Sequence, residues 1–274
     1  MDQTVWYERN MVGFENRLKD EDRIKGKIAE SLALKGRTVP DAMKLIPDAI
    51  RYAFQYQEAD YSRHLVEDIA LTRERFSDLV RLRSFWRGDQ YKGISSVWRH
   101  RGTGHLFEMQ FHTEISFHAM TVVTERSYAR LRSAQTCARE EMELEAFQRK
   151  VYSRVPVPPG ADAIFGYPDR DDWEIPGRRI PGQDVTYYAI VDDLSSREQP
   201  VSVLRRSYRD GGRRDEAFTR DLVWRRSSLL ISAERGDLEN EFIEVTADEA
   251  NQIMDRVMRS VRSRPAESPE RGRV

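Results

Sequence analysis

Apolar and polar side chains alternate along residues 107–113, which read Phe-Glu-Met-Gln-Phe-His-Thr. Successive side chains of an extended chain point to opposite faces, so this order predicts a strand. The apolar face, which suits a core, consists of Phe107, Met109 and Phe111. The opposite face carries Glu108, Gln110 and His112. Two interpretations fit this second face: a solvated side of an amphipathic strand, or the lining of a functional site.

The same kind of pattern predicts the elements of the first half of the chain. Apolar residues at helical intervals predict a helix over residues 5–36, with Gly36 as its C-cap. Thr38 and Pro40 mark the start of a short helix. Further along, the pattern predicts a strand over 46–56, a helix over 60–79, strands over 79–86, 97–99 and 105–113, and helices over 116–135 and 136–153.

Proline and glycine are frequent between residues 154 and 184, and this composition predicts an extended connector. The following pattern predicts strands over 185–191, 201–208, 229–233 and 242–246, and then a helix over 247–262 that begins at the capping box of Thr246 and Glu249. We therefore expect an α+β protein with a first domain over 1–153, a connector over 154–184, a small α+β domain over 185–263, and a disordered tail over 264–274.

Composition narrows the class of protein. The net charge is −1, so no overall basic field favours nucleic acid. Cys137 is the single cysteine, which excludes an internal disulfide framework and a cysteine-based zinc cluster. No apolar run is long enough for a membrane span, and the first residues lack the pattern of a signal peptide. We expect a cytoplasmic protein without a membrane partner.

Candidate functional residues also precede the alternating strand in the sequence. Arg23, Lys25 and Lys27 are close together in the predicted first helix. This spacing is typical of a solvated helix face, and it also suits phosphates, which take charge-assisted hydrogen bonds from cations. Asp48 is either a turn residue after Pro47 or an oxygen ligand for a hard cation. A Walker A sequence is absent from the chain.

The predicted loop before residue 97 contains Tyr91 and Lys92, followed by Gly93. An exposed aromatic ring beside a lysine suits a nucleobase and its phosphate. The alternative interpretation is a loop tyrosine that packs on the core.

Four of these segments stand in the order of motifs in the RelA/SpoT-type synthetase domain, the nucleotidyltransferase-like domain that makes the (p)ppGpp alarmones of the stringent response. The chain resembles its small, toxin-associated branch most closely, over about residues 15–135. The resemblance implies a mixed sheet flanked by helices, here followed by a small α+β domain of no recognised family. The motifs are Arg23-x-Lys25, Asp48-x-x-Arg51-Tyr52, Tyr91-x-Gly93 and Glu108-x-Gln110-x-His112-Thr113.

This resemblance implies transfer of pyrophosphate from ATP to the 3′-hydroxyl of an acceptor, which is GDP or GTP, ADP or ATP, or a tRNA. Asp48 and Glu108 are then the catalytic residues and the ligands of Mg²⁺, which neutralises the phosphates. The cations that position the ATP phosphates are Arg23, Lys25 and Lys27.

The residues implied at the acceptor are Tyr91, Lys92, Gln110 and His112. His112 stands where many members of the family have arginine, so we expect it to titrate near neutral pH. Ser95 stands where the housekeeping enzymes have histidine, and the identity of the acceptor therefore stays open.

Two other classes of function compete with an active synthetase. One is a catalytically inactive protein that binds nucleotides. The other is a fused toxin–antitoxin in which the C-terminal domain restrains the synthetase. The charge of that domain is split, because arginines outnumber acidic residues over 200–226 and acidic residues outnumber arginines over 227–258. The acidic part is a candidate docking face for the basic, nucleotide-binding site of the first domain.

Overall fold

The computed structural model describes residues 11–133, 135–164, 166–168, 185–209 and 212–263, which contain two five-stranded sheets. Most of the predicted connector and the predicted tail over 264–274 lie outside the described residues. The two sheets confirm the α+β class, with a mixed sheet in the first half of the chain and a smaller antiparallel sheet in the second half.

The first sheet has the order β1-β2-β5-β4-β3. Strands β2 and β5 are parallel, and all other neighbours in this sheet are antiparallel. Strand β5 coincides with the predicted alternating segment and lies in the middle of the sheet. The strands are β1 (Met11–Val12), β2 (Arg51–Tyr56), β3 (Ser77–Ser84), β4 (Ile94–His100) and β5 (Leu106–Thr113).

Helices flank this sheet: α1 (Glu21–Lys35), α2 (Val39–Lys44), α3 (Tyr61–Arg75), α4 (Glu114–His118), α5 (Glu125–Leu131) and α6 (Ala138–Tyr152). The Asp20 carboxylate accepts hydrogen bonds from backbone N–H groups of the first turn of α1 and so fixes its start. Gly36 ends the helix with φ of 64°. The prediction of one helix over 5–36 is therefore wrong for residues 11–20, where β1 pairs with β2.

The second sheet is antiparallel throughout and has the order β10-β6-β7-β8-β9. Its strands are β6 (Val185–Val191), β7 (Ser202–Arg209), β8 (Gly212–Phe218), β9 (Trp224–Arg226) and β10 (Glu241–Val245). The predicted strand over 229–233 is wrong, because these residues form helix α7 (Leu229–Glu234). Helix α8 (Ala247–Arg262) follows the predicted capping box. Among the described helices, none combines the length and the apolar composition needed to cross a membrane.

The core of the first sheet lies on the apolar face of β5. Met109 and Phe111 are buried there with Phe54 and Trp98, and Phe107 packs at the edge of this core. Helix α1 reaches the other sheet, because Leu34 is buried in a cluster that includes Tyr188, Ile190 and Leu204. Helix α8 packs on the opposite face of that sheet through Ala250, Ile253 and Val257. Helix α1 therefore contacts the second sheet while its preceding loop pairs with the first.

Candidate active site

The polar face of β5 is buried rather than solvated. Glu108 and Gln110 are each 4% exposed, and His112 is fully buried. The side-chain amide of Gln110 donates a hydrogen bond of 2.8 Å to Glu108 Oε1. The amide oxygen of Gln110 is buried and has no hydrogen-bond partner among the described residues. A buried, unpaired acceptor in a native structure requires an explanation, and a bound ion or water is one.

Burial and neighbouring charges set the protonation of Glu108. Burial raises its pKa to about 7 against the opposing effect of Arg51, which pairs with Glu108 in the parallel register of β2 and β5. The carboxylates of Asp48 and Asp237 raise the pKa further. Glu108 can therefore exchange a proton near neutral pH, as a general acid or base requires.

Burial has the opposite effect on the pKa of the imidazole in this face. It lowers the pKa of His112 to about 3, and the positive charge of Arg51 lowers it too. His112 is therefore neutral, and the expectation that it titrates near neutral pH is wrong. Its Nε2 lies 3.1 Å from the Tyr91 hydroxyl and its Nδ1 lies 3.1 Å from Ser116 Oγ. These contacts hold the ring at the end of the polar face.

Asp48 lies in a 3₁₀ turn, Pro47–Ala49, immediately before β2. Asp48 is therefore a turn residue, as one interpretation predicted. Its carboxylate is nevertheless near enough to Glu108 to raise the pKa of that residue. The carboxylate is buried and pairs with two lysines, Lys19 and Lys27, with Lys27 Nζ at 2.9 Å from Asp48 Oδ1. Lys19 is a residue that the sequence analysis did not select.

The three predicted cations of α1 separate in the structure. Lys27 is buried against Asp48, whereas Arg23 is exposed. Lys25 is also exposed and pairs with Glu21 on its own helix at 2.8 Å. Residues 25 and 27 lie on different sides of a helix of 3.6 residues per turn, so both cannot face one site. The solvated-face interpretation therefore holds for Lys25.

Tyr91 is 1% exposed, so it is not the exposed ring that its loop position predicted. It packs edge-on against Phe85 and Tyr152, in agreement with the alternative of a loop tyrosine within the core. Lys92 is buried as well, and its ammonium donates to the backbone carbonyl of Trp86. The structure therefore brings Tyr91 to His112 and directs the charge of Lys92 at the backbone.

The donor set at this site fits Mg²⁺ bound together with a nucleotide. The charge of Asp48 raises the pKa of Glu108, so the two carboxylates lie near each other, and Gln110 adds an amide oxygen. No group of three or more His, Cys, Asp or Glu side chains within the described ranges is arranged to hold a metal. Mg²⁺ at nucleotide sites needs only one or two carboxylates, because substrate phosphates and water complete its shell.

Comparison with known proteins gives partial structural matches. No protein-family model and no curated protein matches the chain. A GTP pyrophosphokinase family protein from Streptococcus pneumoniae matches with 18% identity and a TM-score of 0.38, over 50% of this chain and 68% of that one. The small alarmone synthetase 1 from Bacillus subtilis matches with 17% identity and a TM-score of 0.36, over 50% and 71%.

The structure of that Bacillus subtilis synthetase bound to its product pppGpp matches with 15% identity and a TM-score of 0.36, over 55% of this chain and 80% of that one. These neighbours are thus described as a GTP pyrophosphokinase family protein and a small alarmone synthetase. Each overlap covers about half of this chain. The similarity therefore concerns part of the molecule.

Proposed function

We propose that the chain is a pyrophosphokinase, which transfers pyrophosphate from ATP to the 3′-hydroxyl of a nucleotide or tRNA acceptor on the polar face of β5. The observation that carries the proposal is the buried carboxylate of Glu108 on the polar face of β5, which Gln110 orients by a hydrogen bond and whose pKa burial raises to about 7. A general base acts best when its pKa lies near the working pH. The order of the four motifs supports the same chemistry.

In this proposal Glu108 accepts the proton of the acceptor hydroxyl. The hydroxyl oxygen forms a bond to the β-phosphorus of ATP, the bond from that phosphorus to the oxygen bridging the α-phosphate breaks, and AMP leaves. Gln110 orients the Glu108 carboxylate through its 2.8 Å hydrogen bond. Asp48 and Glu108 would hold Mg²⁺, which would neutralise the phosphate charge.

The donor phosphates bind to Lys27 and Lys19, the ammonium groups that meet at Asp48. For Arg23 the phosphate-binding role stays a prediction, whereas Lys25 faces solvent on the other side of α1 from Lys27. The acceptor base packs against Tyr91, whose hydroxyl contacts the neutral His112. Lys92 and Gln110 stay predicted acceptor residues, and the acceptor is a guanosine or adenosine nucleotide or a tRNA.

A labelled transfer assay tests the proposal. Purified protein receives γ-labelled ATP, Mg²⁺ and GDP, GTP, ADP, ATP or tRNA in turn, and label in the acceptor is measured. We expect transfer to at least one acceptor, and a decrease of about 10²-fold or more in Glu108→Gln, which keeps the shape and removes the base. The control is Glu74→Gln, an exposed glutamate on α3, for which we expect the parental rate.

A folded Glu108→Gln protein that transfers pyrophosphate at the parental rate contradicts the role of Glu108. ATP binding without transfer to any acceptor identifies a nucleotide-binding protein without turnover. This result is required of the parent, of the double variant Asp237→Asn, Glu239→Gln and of Gly236→Ala.

A further inference from the structure

The proposed phosphate-binding lysine is already occupied by carboxylates from the distant end of the chain. Lys27 Nζ lies 3.0 Å from Asp237 Oδ2 and 2.9 Å from Glu239 Oε2. Burial by itself lowers the pKa of Lys27, but the charges of Asp237, Glu239 and Asp48 outweigh it and raise the pKa well above its ordinary value. Lys27 is therefore a buried ammonium ion surrounded by carboxylate oxygens.

These carboxylates belong to residues 235–241, here called the acidic segment, which runs from the end of α7 to the first residue of β10. Both ends of the acidic segment are held by the first half of the chain. At one end, the Arg235 guanidinium lies 4.3 Å from the centre of the Tyr128 ring and donates a 2.9 Å hydrogen bond to Thr124 Oγ1. At the other end, Glu241 pairs with Arg83 at 3.2 Å.

The middle of the acidic segment is buried against the polar side of the first sheet. Leu238 is 5% exposed and joins an apolar cluster with Phe85, Tyr91 and Val97. Its backbone carbonyl accepts a hydrogen bond from Arg81 of β3. The segment is therefore fixed by its apolar residue and backbone as well as by its charges.

Gly236 brings the acidic segment into direct contact with the proposed acceptor residue. Its φ is +90°, a conformation that side chains disfavour, and a Cβ there would lie 2.9 Å from Tyr91 Cε1 and 2.9 Å from Ser95 Oγ. Glycine therefore permits a close approach that any larger residue prevents. The acidic segment covers the proposed donor cation and the proposed acceptor ring together.

We propose that the acidic segment is a competitive ligand built into the chain, which closes the candidate active site by placing two carboxylates where the ATP phosphates bind. This inference rests on the proposed function and adds its regulation. Carboxylate and phosphate oxygens accept the same charge-assisted hydrogen bonds from an ammonium group. Both cannot occupy Lys27, and the negative charges of ATP and of Asp237 and Glu239 repel each other.

Asp237 and Glu239 are both directed at Lys27, so the acidic segment occupies the ammonium group that the ATP phosphates need. ATP then binds only to the fraction of molecules in which the segment has left. The apparent dissociation constant of ATP increases in inverse proportion to that fraction.

Calorimetric titration of the full chain with a non-hydrolysable ATP analogue and Mg²⁺ tests the inference. The double variant Asp237→Asn, Glu239→Gln keeps the shape of the segment and removes its charge. We expect it to bind the analogue at least about tenfold more tightly than the parent, because the open fraction increases. The matched control is Glu244→Gln, an exposed carboxylate of β10, which should bind as the parent does.

Gly236→Ala opens the site by a different physical route, because its methyl group meets Tyr91 and Ser95. We expect tighter binding of the analogue than in the parent here too. Hydrogen exchange gives a second readout in the parent: addition of the analogue should accelerate exchange of the amides in residues 235–241.

Weaker binding by the double variant overturns the inference and makes Asp237 and Glu239 contributors to nucleotide binding. Equal, tight binding by the parent and both variants, with parental transfer activity, overturns the inference and leaves the proposed function intact. Absence of analogue binding in every protein defeats the inference and the proposed function together.

Discussion

Glu108 and His112 show how one physical cause gives two residues of the same strand face different roles. Burial disfavours the charged form of either group, so it raises the pKa of the carboxyl to about 7 and lowers that of the imidazole to about 3. At neutral pH the face therefore presents a neutral imidazole and a carboxyl group that exchanges its proton. Only the second is suited to take a proton from a substrate hydroxyl.

The shifted pKa of Glu108 predicts a pH-dependent stability. Between pH 4.5, the ordinary pKa of a glutamate, and about pH 7, Glu108 in the folded protein retains a proton that the unfolded chain has released. The unfolding free energy contributed by this group therefore falls as pH rises through that window and is constant above it. Glu108→Gln removes this contribution.

Thermal melts of the parent and Glu108→Gln from pH 4.5 to pH 8 measure the effect. We expect the difference in Tm, parent minus variant, to decrease as pH rises to about 7 and then to level off. The depressed pKa of His112 acts with the opposite sign, since its stabilisation is lost as pH falls from 6.5, but it is common to both proteins and cancels in the difference. A difference independent of pH contradicts the raised pKa.

At this scale the sequence predicted the composition of the site better than its contacts. Alternation along residues 107–113 placed Glu108, Gln110 and His112 on one face, because strand geometry depends only on neighbours in sequence. The pair of Lys27 with Asp237 joins positions 210 residues apart, and no local pattern indicates such a contact. The sequence analysis did not select Lys19 for the same reason, because its contact with Asp48 is not local in sequence.

The strands and helices show where local patterns succeed and fail. Helix α8 was predicted because a capping box and a long periodic segment agree. Residues 229–233 are too few for apolar periodicity to distinguish a strand from a helix, and they form α7. Strands β8 and β9 carry many arginines and were not predicted, because their pairing with β7 and with each other defines them.

Helix α1 is one of the elements that join the two sheets, and its packing gives a prediction. Leu34 is 2% exposed and packs with residues of the second sheet, whereas Leu32 on the same helix is 38% exposed. We expect Leu34→Ala to lower the unfolding free energy by about 2–5 kcal/mol, through lost burial and a cavity. Leu32→Ala should change it by no more than about 0.5 kcal/mol.

Denaturant unfolding of the full chain measures both values. The two substitutions change helix propensity equally, so the difference between them reports packing alone. Equal losses would contradict the packing of α1 against the second sheet.

For the whole molecule, the split charge of the C-terminal part has a structural explanation. Much of its basic half is neutralised internally, as in the buried pairing of Arg206 with Asp215 and Glu234. Its acidic half meets cations of the first sheet and of α1, through Glu241 with Arg83 and through the acidic segment with Lys27. The acidic half of the C-terminal part therefore lies against the first half of the chain, as the proposed closure requires.

The most direct measurement of the central claim is a crystal structure of the full Asp237→Asn, Glu239→Gln chain with Mg²⁺, a non-hydrolysable ATP analogue and an acceptor nucleotide. We predict the analogue's phosphates at Lys27, the metal at Asp48 and Glu108, and the acceptor hydroxyl beside Glu108, with the acidic segment withdrawn from Tyr91. A nucleotide bound elsewhere, with the acidic segment still seated on Lys27 and Tyr91, would contradict both the site and its closure.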